Sequence, residues 1–511
     1  MADLLRADVQ NFQVATPRSD PHRGWRQTVI GLYLQDDIRL TPGFMLNLGM
    51  RYEPYTVPTE VNGKVATVHD LRPHIFNRTS PADFFIGDPL FLNPSLKNFA
   101  PRVGLAWDPF GNGQTSIRAG AGVFPELMTN SQIIVPGYGM PPFYDRLELL
   151  GDDFDIDFPN SWVTQPQLFR SGTARSRPNT MQWNPEGQPT VYKWSMDVQQ
   201  QLLRNTTVEV GYSGTRGVHL GRGATNRNVT PSEIRDGRRF YLIQQPLPNP
   251  FFSRFRAKLF DGTSAYHGLR FTVNRRLTGG LQLHGAYTLS KATDDHSGWA
   301  SVSDYLGDLQ GYADLKIHAL SSYDIRHSFY SSFTYDVPGA NLPGAAGKIL
   351  GGWSATGLLR LNSGPPQTLL ADQPRQGSLR LQNVDGRRLD LIAGGDQSPT
   401  RPRNPNQYFD ATQFAYPERF FEGNLGRNTV ITPGIAKFDF TLVKSTGLPI
   451  INENTNLQFR VEFFNLFNRA NFGYPADLLF DRNGRRYSNA GQITRTTTSS
   501  RQIQLALKLV F

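Results

Sequence analysis

Four aspartates, Asp152, Asp153, Asp155 and Asp157, crowd into the stretch GDDFDIDF. Close-set carboxylates suit a hard cation such as Ca²⁺. A solvated acidic loop has the same composition, so calcium is a candidate here and not a conclusion. Ser290, Asp294, Asp295 and His296 fall together in SKATDDHSG. A nucleophilic triad is defined by geometry, however, and neighbouring letters do not supply one. The chain has nine His, scattered, and no Cys. Thiolate ligands, disulfides and a cysteine nucleophile are therefore excluded. No HExxH, Walker A, GxSxG or EF-hand pattern occurs. The chemistry-bearing residues thus predict no enzyme, no cofactor and no firm metal site.

Charged residues instead recur at every second position of short segments, opposite large apolar side chains. In TNLQFRVEFF, Leu457, Phe459, Val461 and Phe463 alternate with Gln458, Arg460 and Glu462; at the C-terminus Ile503, Leu505, Leu507, Leu509 and Phe511 alternate with Gln504 and Lys508. LRFTVN sets Arg270 opposite Leu269 and Phe271. Period-2 alternation is the mark of a strand with two unlike faces. About thirteen segments read this way, or about fourteen if 8–14 is one. Arg270, Arg460, Glu462 and Lys508 become candidates for contact with water, with each other or with a solute. His284 and His327 are read as hydrogen-bonding residues that face the same polar interior. Tyr138, Phe143, Tyr144, Phe420 and Phe421, in long connections, are candidates for ligand contact.

Connections alternate in length. Short turns at 41–43, 110–113, 204–205, 278–280 and 447–454 are separated by long stretches at 54–100, 125–189, 215–263, 291–321, 363–433 and 470–494. Antiparallel neighbours reverse direction at each connection, so every long stretch emerges at one end of the array. Short periplasmic turns, long extracellular loops, an apolar outside and a polar inside describe an all-β, antiparallel transmembrane β-barrel.

Composition is compatible with that. With Gly 48 and Pro 36 in 511 residues, a helical bundle is disfavoured, while 12% aromatic against 19% charged residues opposes disorder. No stretch reaches the roughly 18 apolar residues of a spanning helix. A net charge of +10 is dispersed without a basic run, which argues against nucleic acid as a partner. The start, MADLLRADVQNFQV, has no apolar signal region. Its absence predicts a protein kept inside the cell or one whose start is missing.

The segments QDDIRLTPGFMLNLGMRYE (35–53), FAPRVGLAWDPFGNGQTSIRAGAGVF (99–124), VEVGYSGTRGVHL (208–220), YTLSKATDD (287–295), DIRHSF (324–329), GNLGRNTVITPGIAKFDFTLVK (423–444) and LQFRVEFFNLFNRANFGYP (457–475) resemble TonB-dependent outer-membrane receptors. More narrowly they resemble the Oar-like branch, which carries a carboxypeptidase-regulatory-like domain. The resemblance covers nearly everything from about residue 26 onward and implies the cell outer membrane. It implies a barrel of roughly 22 strands, preceded by a signal peptide, a TonB box and a plug that are not recognisable in this chain. The expectation is therefore an N-terminal segment, 1–25, with a partial strand and loop, and a barrel portion, 26–511, that belongs to a larger barrel. Leu505, Leu507, Leu509 and Phe511 are similar to the signal read by the barrel assembly machinery. Implied partners are outer-membrane lipid and lipopolysaccharide, an unknown extracellular solute, and the TonB complex, reached only through the missing plug. Implied function is solute uptake, with the truncated chain not transport-competent alone. A surface adhesion protein without transport is the alternative.

Overall fold

The structure is a computed structural model. It describes residues 11–71, 84–128, 130–150, 166–169, 175–228, 232–242, 249, 251–253, 255–297, 318–339, 344–371, 387–401, 404–418, 420–448, 455–481 and 483–510.

Thirteen consecutive strands form one antiparallel meander. They are β1 (Leu32–Thr41), β2 (Phe44–Tyr52), β3 (Phe99–Trp107), β4 (Thr115–Pro125), β5 (Thr190–Leu203), β6 (Thr206–Asn226), β7 (Arg256–Thr278), β8 (Leu281–Asp294), β9 (His327–Asp336), β10 (Trp353–Asn362), β11 (Ile435–Gly447), β12 (Asn456–Phe464) and β13 (Gln502–Val510). Each expected segment is a wall strand. The strand Asn11–Ala15 is not a further one: it pairs with Arg146–Leu150, in a separate sheet built from the long connections.

Short connections join β1–β2, β3–β4, β5–β6, β7–β8 and β11–β12, and the connection 337–352, which carries the helix Gly344–Leu350, joins β9–β10, all at one end of the wall. Gly280 shows why such a turn needs glycine. Its φ is +77°, and an added Cβ would stand 2.5 Å from the carbonyl oxygen of Asp336. That carbonyl belongs to the residue whose N–H donates to Gly280 O at 2.7 Å.

At the other end the strands β6 and β7 outrun the wall. They are 21 and 23 residues long, about twice what a bilayer crossing requires. Much of the stretch 215–263, expected as loop, is therefore strand. Register shifts between Gly217 and Leu220 and between Arg222 and Thr225 bend the projecting ladder.

A single-layer wall has no second layer to bury against, and the fully buried apolar side chains accordingly sit in the long connections. Tyr55, Val65, Leu90, Phe91, Met128, Ile133 and Met181 pack with Phe260 at the projecting end of β7. Beside them Ala66, Val68, Met140, Phe252 and Phe255 form a second cluster. A third joins Leu369, Leu389, Phe409, Phe414 and Leu425 to Leu479, Phe480 and Ile493, from the β10–β11 and β12–β13 connections. The hairpin Ser232–Arg235/Arg238–Tyr241, from the β6–β7 connection, reaches this third lobe. There Tyr241 N donates to Phe420 O at 2.8 Å and Glu422 N to Arg239 O at 2.9 Å.

Within the described residues, β1 and β13 each have one neighbour in the wall. Every neighbouring pair is antiparallel and the number of strands is odd, so these two edges run in the same direction.

Candidate functional site: the polar face of the wall

Residues paired across an antiparallel ladder share a face, and the register divides the wall cleanly. Ile503, Leu505, Leu507 and Leu509 pair with Phe463, Val461, Phe459 and Leu457. The apolar face continues through Leu281, Leu283 and Tyr287 on β8 to Phe271 and Leu269 on β7. The opposite face is polar.

Its best-organised feature is a three-strand ion cluster. Asp197 of β5 pairs with Gly211 of β6, which pairs with Arg270 of β7. Arg270 Nη2 donates to Asp197 Oδ1 at 3.1 Å and to Glu209 Oε1 at 2.7 Å. Gly211 makes this possible, because a Cβ there would stand 2.1 Å from Asp197 Oδ1. Arg270 remains half exposed, with 51% of its side chain accessible, and can still turn a guanidinium N–H toward solvent on the polar face. Elsewhere on this face His284 Nδ1 lies 2.6 Å from Asn274 Oδ1, and Lys437 Nζ donates to Asp439 Oδ2 at 2.7 Å.

The four solute-contact candidates all lie on this polar face, but they do not form one group. Arg460 pairs with Ala506, Glu462 with Gln504 and Lys508 with Gln458 on the adjacent strands β12 and β13. Four strands, β8 to β11, separate them from Arg270. Sequence reading found Arg270 without Asp197 or Glu209. The segment 194–199 does show Asp197 on its polar face, but nothing local reveals which strand stands opposite.

One expectation is overturned. His284 is on the polar face, whereas His327 pairs with Leu289 and stands on the apolar one. Its Nδ1 lies 2.7 Å from the hydroxyl of Tyr287, on the same side of β8. The sequence near β9 alternates polar with polar at His327 and Ser328, so the face of the histidine is settled only by register.

The residues of SKATDDHSG form no triad and instead anchor loops. Ser290 Oγ donates to Ile325 O at 2.9 Å, and Asp295 accepts from Thr263 N at 2.7 Å. His296 Nε2 accepts from Gly223 N at 3.2 Å. Asp294 holds Arg427 in a buried ion pair, in which Arg427 also donates to Asp294 O at 2.6 Å and to Ser297 Oγ at 2.9 Å.

The loop aromatics pack on the protein itself. Phe143 lies against the Phe252–Phe255 cluster, and the Tyr144 ring meets Tyr138 edge-on at 5.2 Å. Phe421 meets Phe240 at 5.0 Å, and Phe420 meets the same ring at 6.1 Å. Among loop carboxylates, burial raises the pKa of Asp145 against the lowering effect of its hydrogen bond from Ser176. Burial likewise pushes the Tyr408 phenol up to about 12.

Asp152, Asp153, Asp155 and Asp157 lie outside the described residues, as does Phe511. Among the described residues no cluster of three or more His or carboxylate side chains could hold a metal. Leu505, Leu507 and Leu509 point from the apolar face and are 66%, 69% and 46% exposed. Apolar groups in that number on an open face need an apolar solvent.

A family described as outer membrane beta barrel domain matches residues 1–504. No curated protein matches the chain. Among solved structures, the outer membrane transporter YddB from Escherichia coli is similar at 11% identity and a TM-score of 0.48, covering 94% of this chain and 45% of that one. The FrpB iron transporter from Neisseria meningitidis gives 13% and 0.41, with coverages of 94% and 45%. The outer membrane receptor FpvA from Pseudomonas aeruginosa, bound to pyoverdine, gives 11% and 0.43, with 96% and 43%. The chain thus spans less than half the length of each. With a family match over nearly its whole length and a wall of two-faced strands, the chain belongs to the outer membrane β-barrel domain family and resides in the cell outer membrane.

Proposed function

We propose that this chain forms the larger part of the wall of a TonB-dependent receptor that takes up an extracellular solute. The observation that carries the reading is the combination of a continuous polar inner face with long connections folded into packed lobes at the extracellular end. Such lobes can capture a solute, and a polar lumen can pass it inward. The motifs resembling the Oar-like branch support the narrower assignment. The edges support the incomplete wall. In lipid an unpaired strand edge is prohibitively costly, and β1 and β13, running the same way, cannot close on each other by an antiparallel ladder. An odd number of further strands would close the wall with an even total. On this reading the chain alone does not transport, energy comes from TonB through a plug, and the strand ending at Leu505, Leu507, Leu509 and Phe511 is what the assembly machinery reads.

The test is a comparison of culture medium conditioned by cells with and without the gene, using mass spectrometry to follow solute depletion. The reading expects at least one solute whose removal needs the gene and stops when a protonophore collapses the inner-membrane gradient. If no solute depends on the gene while the protein stands at normal levels on the surface, the transport reading fails and a surface-binding role takes its place.

A further inference from the structure

We propose that a cavity of about 650 Å³ between the third lobe and the extracellular ends of β11 and β12 binds a small aromatic carboxylate. The inference rests on the reading above for the lobe's place outside the cell and not for transport. Three separate stretches of chain line the cavity: Thr400 and Tyr408 from the β10–β11 lobe, Ile431 and Pro433 on the approach to β11, and Arg469 and Phe472 beyond the end of β12. Tyr408 belongs to the buried core of the lobe and Phe472 packs against it, so the apolar wall of the cavity is continuous with a folded core.

The turn that carries Arg469 is fixed in place. Asn465, 2% exposed, accepts from Arg469 N at 3.0 Å and donates to Arg469 O at 3.0 Å and to Ser499 O at 3.0 Å. Asn471, 1% exposed, accepts from Ala436 N at 2.8 Å and donates to Thr498 Oγ1 at 2.9 Å, which ties the turn to β11. The Arg469 guanidinium takes no part in this network. Among the described residues it has no hydrogen-bond or ion-pair partner, and the residue is exposed at the cavity. A cation on a backbone that is already ordered binds without the entropy cost of fixing a loop.

The rest of the lining decides what that cation would hold. One guanidinium with no carboxylate beside it matches one negative charge, and its fork fits the two oxygens of a carboxylate. The Phe472 ring supplies a face for an aromatic body. A sugar is a poorer match, because two hydroxyls at the cavity already donate to backbone: Tyr408 OH to Ile431 O at 2.9 Å and Thr432 Oγ1 to Pro365 O at 2.7 Å. Thr400 Oγ1 is the one lining hydroxyl left without a partner among the described residues. A polyhydroxylated ligand would leave several of its own groups unpaired against Ile431, Pro433 and Phe472, each at a desolvation cost. Apolar walls with a few placed polar groups are the usual make-up of a small-molecule site of this size.

The test uses the full-length protein extracted from outer membranes into detergent, with cinnamate as the probe and isothermal titration calorimetry as the readout. The parent is expected to bind cinnamate, and Arg469→Gln to bind it about tenfold to a hundredfold more weakly through loss of a charge-assisted contact. Phe472→Leu should weaken cinnamate roughly threefold to tenfold and leave cyclohexanecarboxylate unchanged. Arg485→Gln, exposed in the same connection but away from the cavity, is the control and should bind as the parent does. The uncharged amide of the probe should bind the parent more weakly than the acid does, a comparison that needs no variant. Heat-modifiable migration on gels verifies that each variant is folded. No binding by the parent, undiminished binding by folded Arg469→Gln, equal loss in Arg485→Gln, or equal affinity for the amide would each overturn the proposal. Equal loss of both carboxylates in Phe472→Leu would overturn its aromatic part. Binding in micelles involves no energised membrane, so its failure and the failure of gene-dependent uptake are separate results.

Discussion

Arg270 of β7 reaches Asp197 of β5 across an intervening strand, and it does so over Gly211, where a Cβ would stand 2.1 Å from the Asp197 carboxylate. A long cation, a short anion and a glycine between them make a contact spanning two strand spacings. The same guanidinium also holds Glu209, so three strands share one ionic cluster on the inner face.

Replacing that glycine should therefore act through the ion pair. Gly211→Ala is expected to lower stability by about 1 kcal/mol, the upper end for exposed pairs. Asp197→Asn should cost about as much, and the double variant little more than either alone, because both remove one interaction. Urea titration of the folded protein in micelles measures all three. Full additivity would mean that the contact contributes nothing.

The buried pair Arg427–Asp294 should behave differently. Their side chains are 2% and 6% exposed, and Asp294→Ala would leave a guanidinium desolvated without its carboxylate, at a cost of about 3–5 kcal/mol. The β10–β11 lobe docks through Arg427, so that lobe should become sensitive to trypsin in intact cells while the wall stays protected. Unchanged trypsin resistance would show that the lobe does not depend on this anchor.

Much of the wall was legible from sequence because alternation is local: a two-residue period needs no knowledge of the partner strand. The thirteen segments and the polar side of Arg270, Arg460, Glu462 and Lys508 follow from it. Register is not local, and it decides which residues meet. Alternation thus groups Arg270 with Arg460, Glu462 and Lys508, from which at least four strands separate it, and gives no sign of Asp197, 73 positions distant in sequence. For the same reason alternation alone does not reveal that His327 stands on the apolar face. The loop cores were illegible because their strands are mostly two to five residues long, too short to display a period, and are stabilised by contacts between separate connections.

The two faces themselves can be tested at adjacent positions of β13. Leu505→Arg places a charge in the apolar band and should cost about 2–4 kcal/mol, whereas Gln504→Arg faces the polar side and should be nearly neutral. Yield of heat-modifiable protein in the outer membrane reads both. The reverse order would invert the assignment of inside and outside.

Glu60 sets a pH dependence in the loop lobes. Burial raises its pKa, but N–H groups from Gly24 at 2.9 Å, Lys64 at 2.7 Å and Asn62 at 2.9 Å, with the charge of Arg23, outweigh that effect and hold the carboxyl below its ordinary value. A depressed acid contributes stability that is present above its unfolded pKa, 4.5, and is lost as the pH falls through the lower folded value. Protease resistance of the 53–98 connection should therefore decline as the pH is taken below about 4, and Glu60→Gln should remove that part of the decline. A Glu60→Gln profile identical to the parent's would place the titrating group elsewhere.

The central claim, an outer-membrane wall with its long connections outside and its short turns inside, can be measured directly because the chain has no native Cys. Asp236→Cys lies in the turn of the long β6–β7 connection, and Asn112→Cys in the short β3–β4 turn. Treated with a membrane-impermeant maleimide, intact cells are predicted to label the first and spare the second, which should react only after the outer membrane is permeabilised. Labelling of Asn112→Cys in intact cells, with Asp236→Cys protected, would contradict the account.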